Sequence, residues 1–392
     1  MIIKPKTRGF ICTTSHPEGC RKNVEKQIEY ARAAKSDTKC KKVLVIGASM
    51  GYGLAARISA AYTCGASTIG IIFDKPGTDS RTGTAGWYNT AAFEKKAHAD
   101  GLYAKTINGD AFSSEIKQQT IEMIKKDLGK VDTVIYSLAA PKRKTEDGTE
   151  YSSVLKTTDE EYTNKTIDLR DNTIKEVTVP PATEEEIRNT VKVMGGEDWM
   201  DWITALMDED VIEKNALTVA FSYIGPELTY PMYTKGSIGK AKEHLFMTSK
   251  SLTQKFAGLR AYISVNKAVV TQSSAAIPVV PLYISILYKV MKSTGTHEGC
   301  IEQMTRLFTD KIGRESAITD GNGMIRLDDL EMEDEVQREV LRVWDTITTD
   351  NVRECADITG YWDDFFALFG FGEDGIDYNE DVNAVCNIDS LK

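Results

Sequence analysis

The sequence is poor in the side chains that metal centres and disulfide frameworks require. It has four histidines and seven cysteines in 392 residues. The cysteines, at 12, 20, 40, 64, 300, 355 and 386, are odd in number and form no CxxC pair. A zinc site and a disulfide framework are therefore not expected, and a reducing, cytoplasmic setting is. Long apolar runs are also missing. The most apolar stretch, Ala275 to Leu287, carries Pro278 and Pro281; it is too short to span a bilayer and reads as a buried segment. The start, MIIKPKTRGF, lacks the apolar core of a secretion signal. There is no excess of positive charge: 48 Lys+Arg stand against 58 Asp+Glu, a net charge of −10, so nucleic acid is not an expected partner. No fixed repeat is present, and 29 Gly with 10 Pro is ordinary for this length, which excludes fibrous classes. The hydrophobic content of 41% excludes disorder.

What is present is an alternation. VLVIG (43–47) is a short apolar run ending in glycine, which predicts a buried parallel strand. A glycine-rich turn and a helix from Leu54 to Cys64 follow. Further strands are expected at 67–74, 102–108, 131–139, 216–223 and 260–266, with an amphipathic helix near Ser113–Leu128. Strands alternating with helices predict an α/β fold, a Rossmann-type doubly wound parallel sheet. About 75 residues separate the fourth and fifth strands, far more than an ordinary connection. Within them YTNKTIDLR and TIKEVTVP flank Asp171-Asn172 and predict a β-hairpin; a helical stretch from Thr183 to about Met207 follows. The expectation is one elaborated domain. Residues 40–140 and 214–290 form its nucleotide-binding core, 141–213 an inserted hairpin and helical lid, and 291–392 a helical C-terminal extension that includes Glu333–Trp344 and an aromatic-rich end.

The loop GASMGYG places Gly47, Gly51 and Gly53 between a strand and a helix, the context in which glycine spacing signals a dinucleotide. Gly47 permits the turn, Gly51 lets amides approach a pyrophosphate, and Gly53 lets the helix pack near the strand. Asp74 ends the second strand, where a carboxylate binds the ribose hydroxyls of NADH and repels the 2′-phosphate of NADPH; a solvated strand-end aspartate would look the same, and Lys75 beside it could soften the repulsion. Asp110 follows the third strand, on the adenine side. Leu138 and Ala139 follow the fourth, on the nicotinamide side; plain strand-end packing is the alternative for these three.

A reductase with no metal and few histidines needs another acid, and tyrosine assisted by lysine is the natural one. The segment after the fifth strand offers Tyr223, Tyr230 and Tyr233, then Lys235, Lys240 and Lys242. Gly236 and Gly239 argue against Tyr233 lying within a helix. A helix from about Ser237 would carry an apolar stripe of Ile238, Ala241, Leu245, Leu252 and Phe256. Lys242 falls on that stripe, whereas Lys240 points about 160° away, counting 100° per residue. A lysine on the buried face needs a ligand such as a ribose, so Lys242 is preferred. His297 reads as a polar residue at a helix start, and Cys300 has no neighbour that would make it a thiolate.

Tyr233 and Lys242 form Y-x8-K. With GASMGYG, GTAGWYN (83–89), YSLAAPKR, VMGGEDW (193–199), VVTQSSAAIP and HEGCIEQ (297–303), this pattern resembles the trans-2-enoyl-CoA reductase and FabV-type enoyl-ACP reductase family. These are large relatives of the short-chain dehydrogenases, and the resemblance extends along essentially the whole chain. It implies that Tyr233 is the proton donor, that Lys242 binds the cofactor and supports Tyr233, and that Tyr223 contacts substrate. It further implies that Gly47, Ala48, Ser49, Met50, Gly51, Tyr52 and Gly53, with Phe73 and Asp74, Asp110 and Ala111, Leu138 and Ala139, and Val269, Val270 and Thr271, line the dinucleotide.

The implied reaction is NADH-dependent reduction of a trans-2-enoyl-CoA, such as crotonyl-CoA, to the saturated acyl-CoA, with no metal. The acyl carrier protein thioester is the alternative substrate, which would place the enzyme in fatty-acid synthesis; a third reading is a non-catalytic NAD-sensing protein. Acyl carrier proteins are acidic, and a net charge of −10 opposes their approach. Lys142, Arg143 and Lys144, after YSLAAP, could instead meet the coenzyme A phosphates. The sequence leaves the oligomeric state open, and a monomer is compatible with it.

Overall fold

Backbone amides in an apolar core need partners, and the apolar runs of this chain supply them to one another. The computed structural model describes residues 1–8, 11–36, 38–312 and 316–391. In it the six expected strands are Lys42–Ile46, Ser67–Ile72, Ala104–Asn108, Val131–Tyr136, Ile212–Ser222 and Arg260–Val265. A seventh, Ile325–Arg326, joins beside the sixth; two residues are too short to leave a sequence pattern. All neighbours run parallel. Across the sheet the strands lie in the order seventh, sixth, fifth, fourth, first, second, third. Val43 and Val45 pack into the core on one face, with helices Pro17–Ala33, Gly51–Thr63, Ala85–Ala99 and Val280–Thr294. Leu44 and Ile46 pack on the other, with Ser114–Asp127, Glu197–Asp208 and Ser237–Lys255. Burial on both faces is why these strands read as unbroken apolar runs. The winding reverses between the first and fourth strands, which opens a crevice at their carboxyl ends.

Several strands end sooner than the apolar pattern suggests. Phe73 and Asp74, residues 137–139, Tyr223 and Asn266 lie just beyond their strands. They keep a strand-like composition but turn out over the crevice.

The insertion is divided. Lys142–Lys144 pairs with Glu150–Ser152, and Tyr162–Asp168 pairs with Thr173–Val179 around a turn in which Asn172 has φ 60°. The helical stretch is two helices, Glu184–Met194 and Glu197–Asp208, rather than one. Gly195-Gly196 breaks it so that the chain can pass against helix Ser237–Lys255, where a Cβ on Gly196 would lie 2.1 Å from Thr248 Oγ1. The second helix buries Trp199 and Trp202 completely and fixes itself to the sheet. Trp199 Nε1 donates to Thr218 Oγ1 at 2.9 Å, and Trp202 Nε1 to Ala111 O at 3.0 Å. The long hairpin turns the other way, with Lys165 Nζ capping helix Asp334–Thr346 through Trp344 O at 2.8 Å. The insertion is thus tied to the sheet through its second helix and to the C-terminal extension through its long hairpin.

The C-terminal extension wraps the opposite face and then runs back to the sheet edge. There Trp87 Nε1 donates to Cys386 O at 2.9 Å, and Thr106 N donates to Ser390 Oγ at 2.9 Å, which covers the exposed third strand. Among the described residues no helix is long and apolar enough to cross a membrane, and no group of three His, Cys, Asp or Glu side chains is placed to hold a metal ion.

Asp198, 1% exposed, joins the insertion to the sheet. It accepts from Lys117 Nζ at 2.7 Å and from Tyr136 O–H at 3.0 Å. Asp198→Ala leaves the Lys117 ammonium buried without a counter-charge. It should lower the unfolding free energy in urea by about 3–5 kcal/mol, the usual result of breaking a buried pair from one side.

Candidate functional site

The cleft at the switch point has a volume of about 580 Å³ and opens over the carboxyl ends of the central strands. Its floor is the glycine loop. Gly47 and Gly51 have φ of 86° and 52°, backbone that disfavours a side chain. A Cβ on Gly53 would lie 1.8 Å from Gly47 O. Met50 precedes helix Gly51–Thr63 in extended conformation, and no side chain caps the helix, so its first amides are open to an anion. Gly47, Ser49, Met50, Gly51 and Tyr52 line the cleft. Ala48 and Gly53 do not; they are buried behind the loop and support it. Tyr52 turns its hydroxyl inward, donating to Lys267 O at 2.7 Å and accepting from Gln303 Nε2 at 2.7 Å.

At one end of the cleft Asp74 is held by its neighbours. Asn108, closing the third strand, accepts from Asp74 N at 2.9 Å and donates to Asp74 O at 3.0 Å. Thr84 Oγ1 donates to Asp74 Oδ1 at 2.7 Å. Gly86 stands so close that a Cβ there would lie 2.5 Å from both carboxylate oxygens. Oδ2 is buried and has no hydrogen-bond partner among the described residues. Burial raises the carboxyl above its ordinary range, opposed by the nearby hydroxyls of Thr84 and Ser49. An unpaired, fixed acceptor with little space around it suits a ribose hydroxyl. Phe73, 77% exposed, stands beside it. Asp110 and Ala111 close this end; Asp110 Oδ1 accepts from Phe112 N at 3.0 Å, so it also shapes its own turn.

At the other end stand the tyrosines. Tyr233 lies in a turn before helix Ser237–Lys255, as Gly236 and Gly239 suggest; its N–H donates to Thr229 O, and its carbonyl accepts from Gly236 N, both at 3.0 Å. Gly239 passes so near that a Cβ would lie 1.9 Å from Tyr233 O. The Tyr233 hydroxyl has no hydrogen-bond partner among the described residues, and burial pushes the phenol up, so it is a neutral O–H. Its ring meets Tyr223 edge to face, with centroids 4.5 Å apart. Lys242 and Lys240 separate as their helix phase requires. Lys242 lines the cleft and donates to Phe221 O at 3.0 Å, with its pKa pushed down to about 8 by burial. Lys240 is exposed and pairs with Glu243 at 3.2 Å.

Leu138 and Ala139 form one wall of the cleft, and Val269 and Thr271 another. Val270 is displaced: it lines an adjoining cavity of about 330 Å³, and its N–H donates to Tyr288 O–H at 3.0 Å. His297 and Cys300 line that second cavity. Burial pushes His297 down to about 3, so it is neutral, and pushes the Cys300 thiol up. The triplet expected to meet coenzyme A phosphates is largely occupied. Lys142 pairs with Glu150 at 2.6 Å. Arg143, 6% exposed, donates to Lys192 O at 2.9 Å and faces Glu197 and Asp201 at 3.3 and 3.4 Å. Only Lys144 of the three is left open.

Several residues of the site carried no readable signal. Thr84 and Gly86 lie within GTAGWYN, but only the folded chain brings them to Asp74. Ile277, Val280 and Ile284 roof the cleft from the apolar stretch read as buried. Lys267, 2% exposed, also lines the cleft, and Glu331, 0% exposed, lies just behind it.

Residues 81–312 match the family model described as the trans-2-enoyl-CoA reductase catalytic region, and residues 2–79 the NAD(P)H binding domain of trans-2-enoyl-CoA reductase. Residues 319–382 match an enoyl reductase FAD binding domain. That last segment does not fit a flavin. None of its glycines lies between a strand and a following helix, and the cavity it borders presents the carboxylates Asp364 and Glu302, which would repel a pyrophosphate. The chain is 55% identical to the trans-2-enoyl-CoA reductase [NADH] of Ruminiclostridium cellulolyticum, over all of both chains. It is 54% identical to the enoyl-[acyl-carrier-protein] reductase [NADH] of Flavobacterium johnsoniae, again over all of both. The crystal structure of Treponema denticola trans-2-enoyl-CoA reductase in complex with NAD superposes with a TM-score of 0.95 at 48% identity, covering 97% of this chain and 98% of that one. This chain belongs to the trans-2-enoyl-CoA reductase family.

Proposed function

We propose that this chain reduces trans-2-enoyl-CoA esters to saturated acyl-CoA with NADH, using Tyr233 as the acid. The observation that carries the reading is the open Tyr233 hydroxyl, in one cleft with the Lys242 ammonium and with Asp74, whose Oδ2 is unpaired among the described residues. When bound, NADH supplies the hydride that enters at Cβ of the enoyl group. The double-bond electrons then move toward the thioester oxygen, and Tyr233 O–H is the donor that meets the growing charge. A proton at Cα completes the product, so each turnover consumes one NADH and one proton. Lys242, still protonated at neutral pH, has two N–H donors beyond the one given to Phe221 O, suited to ribose hydroxyls.

The thioester carrier is coenzyme A in this reading. The net charge of −10 opposes an acidic carrier protein, although the basic triplet offers less to coenzyme A than its sequence suggests. The seven free thiols fit a cytoplasmic enzyme.

Tyr233→Phe should lower kcat by about 10²–10⁴, the worth of a positioned acid, with NADH affinity nearly unchanged; loss of NADH absorbance with crotonyl-CoA measures it. Lys242→Met should impair both NADH binding and turnover, while Lys240→Met should be close to silent. Because burial lowers the Lys242 pKa from 10.5 to about 8, its charge is present below that pH and lost above it. The kcat/KM profile should therefore fall as pH rises through about 8.

NADH should be preferred over NADPH, and Asp74→Ser should narrow the ratio, since a carboxylate facing the 2′-phosphate costs about 1–3 kcal/mol. The two kcat/KM values for wild type and variant measure it. Crotonyl-CoA should give a higher kcat/KM than crotonyl-ACP. A larger value with the carrier protein, falling steeply with salt, would reverse the carrier assignment.

A further inference from the structure

Glu331 has no exposed surface and lies between the seventh strand and helix Asp334–Thr346, in the C-terminal extension. Its two oxygens serve three donors. Oε1 accepts from Tyr223 O–H at 2.9 Å and from Tyr283 O–H at 2.7 Å; Oε2 accepts from Ala268 N at 2.7 Å. The donors come from three elements that build the cleft: the loop after the fifth strand, the roof helix Val280–Thr294, and the loop after the sixth strand. Three converging donors match an ionised acceptor. Burial raises the Glu331 carboxyl, while the Lys267 charge and these hydrogen bonds oppose that rise.

A phenol has one proton to give. While the Tyr223 proton is directed at Glu331 it is unavailable to a thioester oxygen. Tyr233, its edge-to-face neighbour, keeps its own proton open to the cleft. Two tyrosines that look interchangeable in the sequence are thus set to opposite roles. We propose that Glu331 is a positioning residue that turns the Tyr223 proton away from the cleft, so that Tyr233 is the sole phenol donor to the reacting oxygen and Tyr223 acts as wall and acceptor. This rests on the reading of Tyr233 as the acid.

The change Glu331→Gln separates this role from simple support. An amide has one acceptor atom, and the Ala268 N–H is fixed in the backbone, so the amide oxygen must face Ala268. The amide nitrogen then donates to the tyrosine oxygens, which can rotate, and the Tyr223 proton is released toward the cleft. The experiment measures kcat and KM for NADH-dependent crotonyl-CoA reduction in Y233F, Y223F, Y233F/E331Q and Y233F/E331Q/Y223F, with NADH binding by fluorescence as the check on folding. Adding E331Q to Y233F should restore kcat by about tenfold, part of the 10²–10⁴ that a positioned acid contributes, and adding Y223F should remove the gain. Y223F alone should raise KM and should lower kcat at least about tenfold less than Y233F does, because that hydroxyl gives no proton to the transition state. If Y233F is damaged but E331Q only deepens the loss, or if the gain survives Y223F, the role of Glu331 is refuted and the acid assignment stands. If Y233F keeps full activity, the acid assignment itself is refuted, and the Glu331 proposal falls with it. Should E331Q fail to bind NADH, Y223F alone decides: a kcat loss as large as that of Y233F overturns the proposal, and a loss at least about tenfold smaller, with a raised KM, supports it.

Discussion

The site depends first on the passage of Gly53 against the carbonyl of Gly47, where no side chain fits. That approach fixes how near the first helix stands to the first strand, and so where its uncapped amides point. The same turn brings Gly47 against the fourth strand's continuation, since a Cβ on Gly47 would lie 2.6 Å from Ser137 O. The two strands that border the switch point are thereby held at a fixed separation. Asp74 at one end and the tyrosines at the other take their positions from it.

Much of this was legible in the sequence, and what was not has identifiable causes. The first six strands announced themselves because both of their faces are buried, and the glycine loop because only glycine satisfies its geometry. Lys242 was separable from Lys240 because a helix has a period and one face was apolar. The insertion was found from its length, but what it packs against was not. Nothing in the sequence said that Trp199 and Trp202 would bond Thr218 and Ala111 and so carry the helix onto the sheet. Arg143 looked like an exposed cation because its partners, Glu197 and Asp201, lie more than 50 residues away. Glu331 could not be read at all. A lone glutamate in an acidic stretch is ordinary, and its meaning comes from three donors at distant positions.

The spacing between Tyr233 and Lys242 also acquires a physical reason. With three residues between them, both side chains would stand on one helix, one turn apart. Here the residues after Tyr233 form a turn, and the helix begins only at Ser237. The tyrosine is then fixed by backbone bonds to Thr229 and Gly236 and by the close pass of Gly239. Its aim depends on the loop and on the aromatic edge of Tyr223, and hence on the extension that carries Glu331. The C-terminal extension is in this sense part of the site, although it contributes little to the cleft surface.

The strand order has a kinetic consequence. The first three strands pair with neighbours close in sequence, but the crevice needs the first strand to meet the fourth, and its far wall needs the loop after the sixth. These non-local pairings are slow to form because long loops must close first. A dinucleotide lying across the crevice would touch segments that come together only late. It would favour the finished chain over every partly folded one, acting as a clasp on escape from the native state more than as a guide toward it.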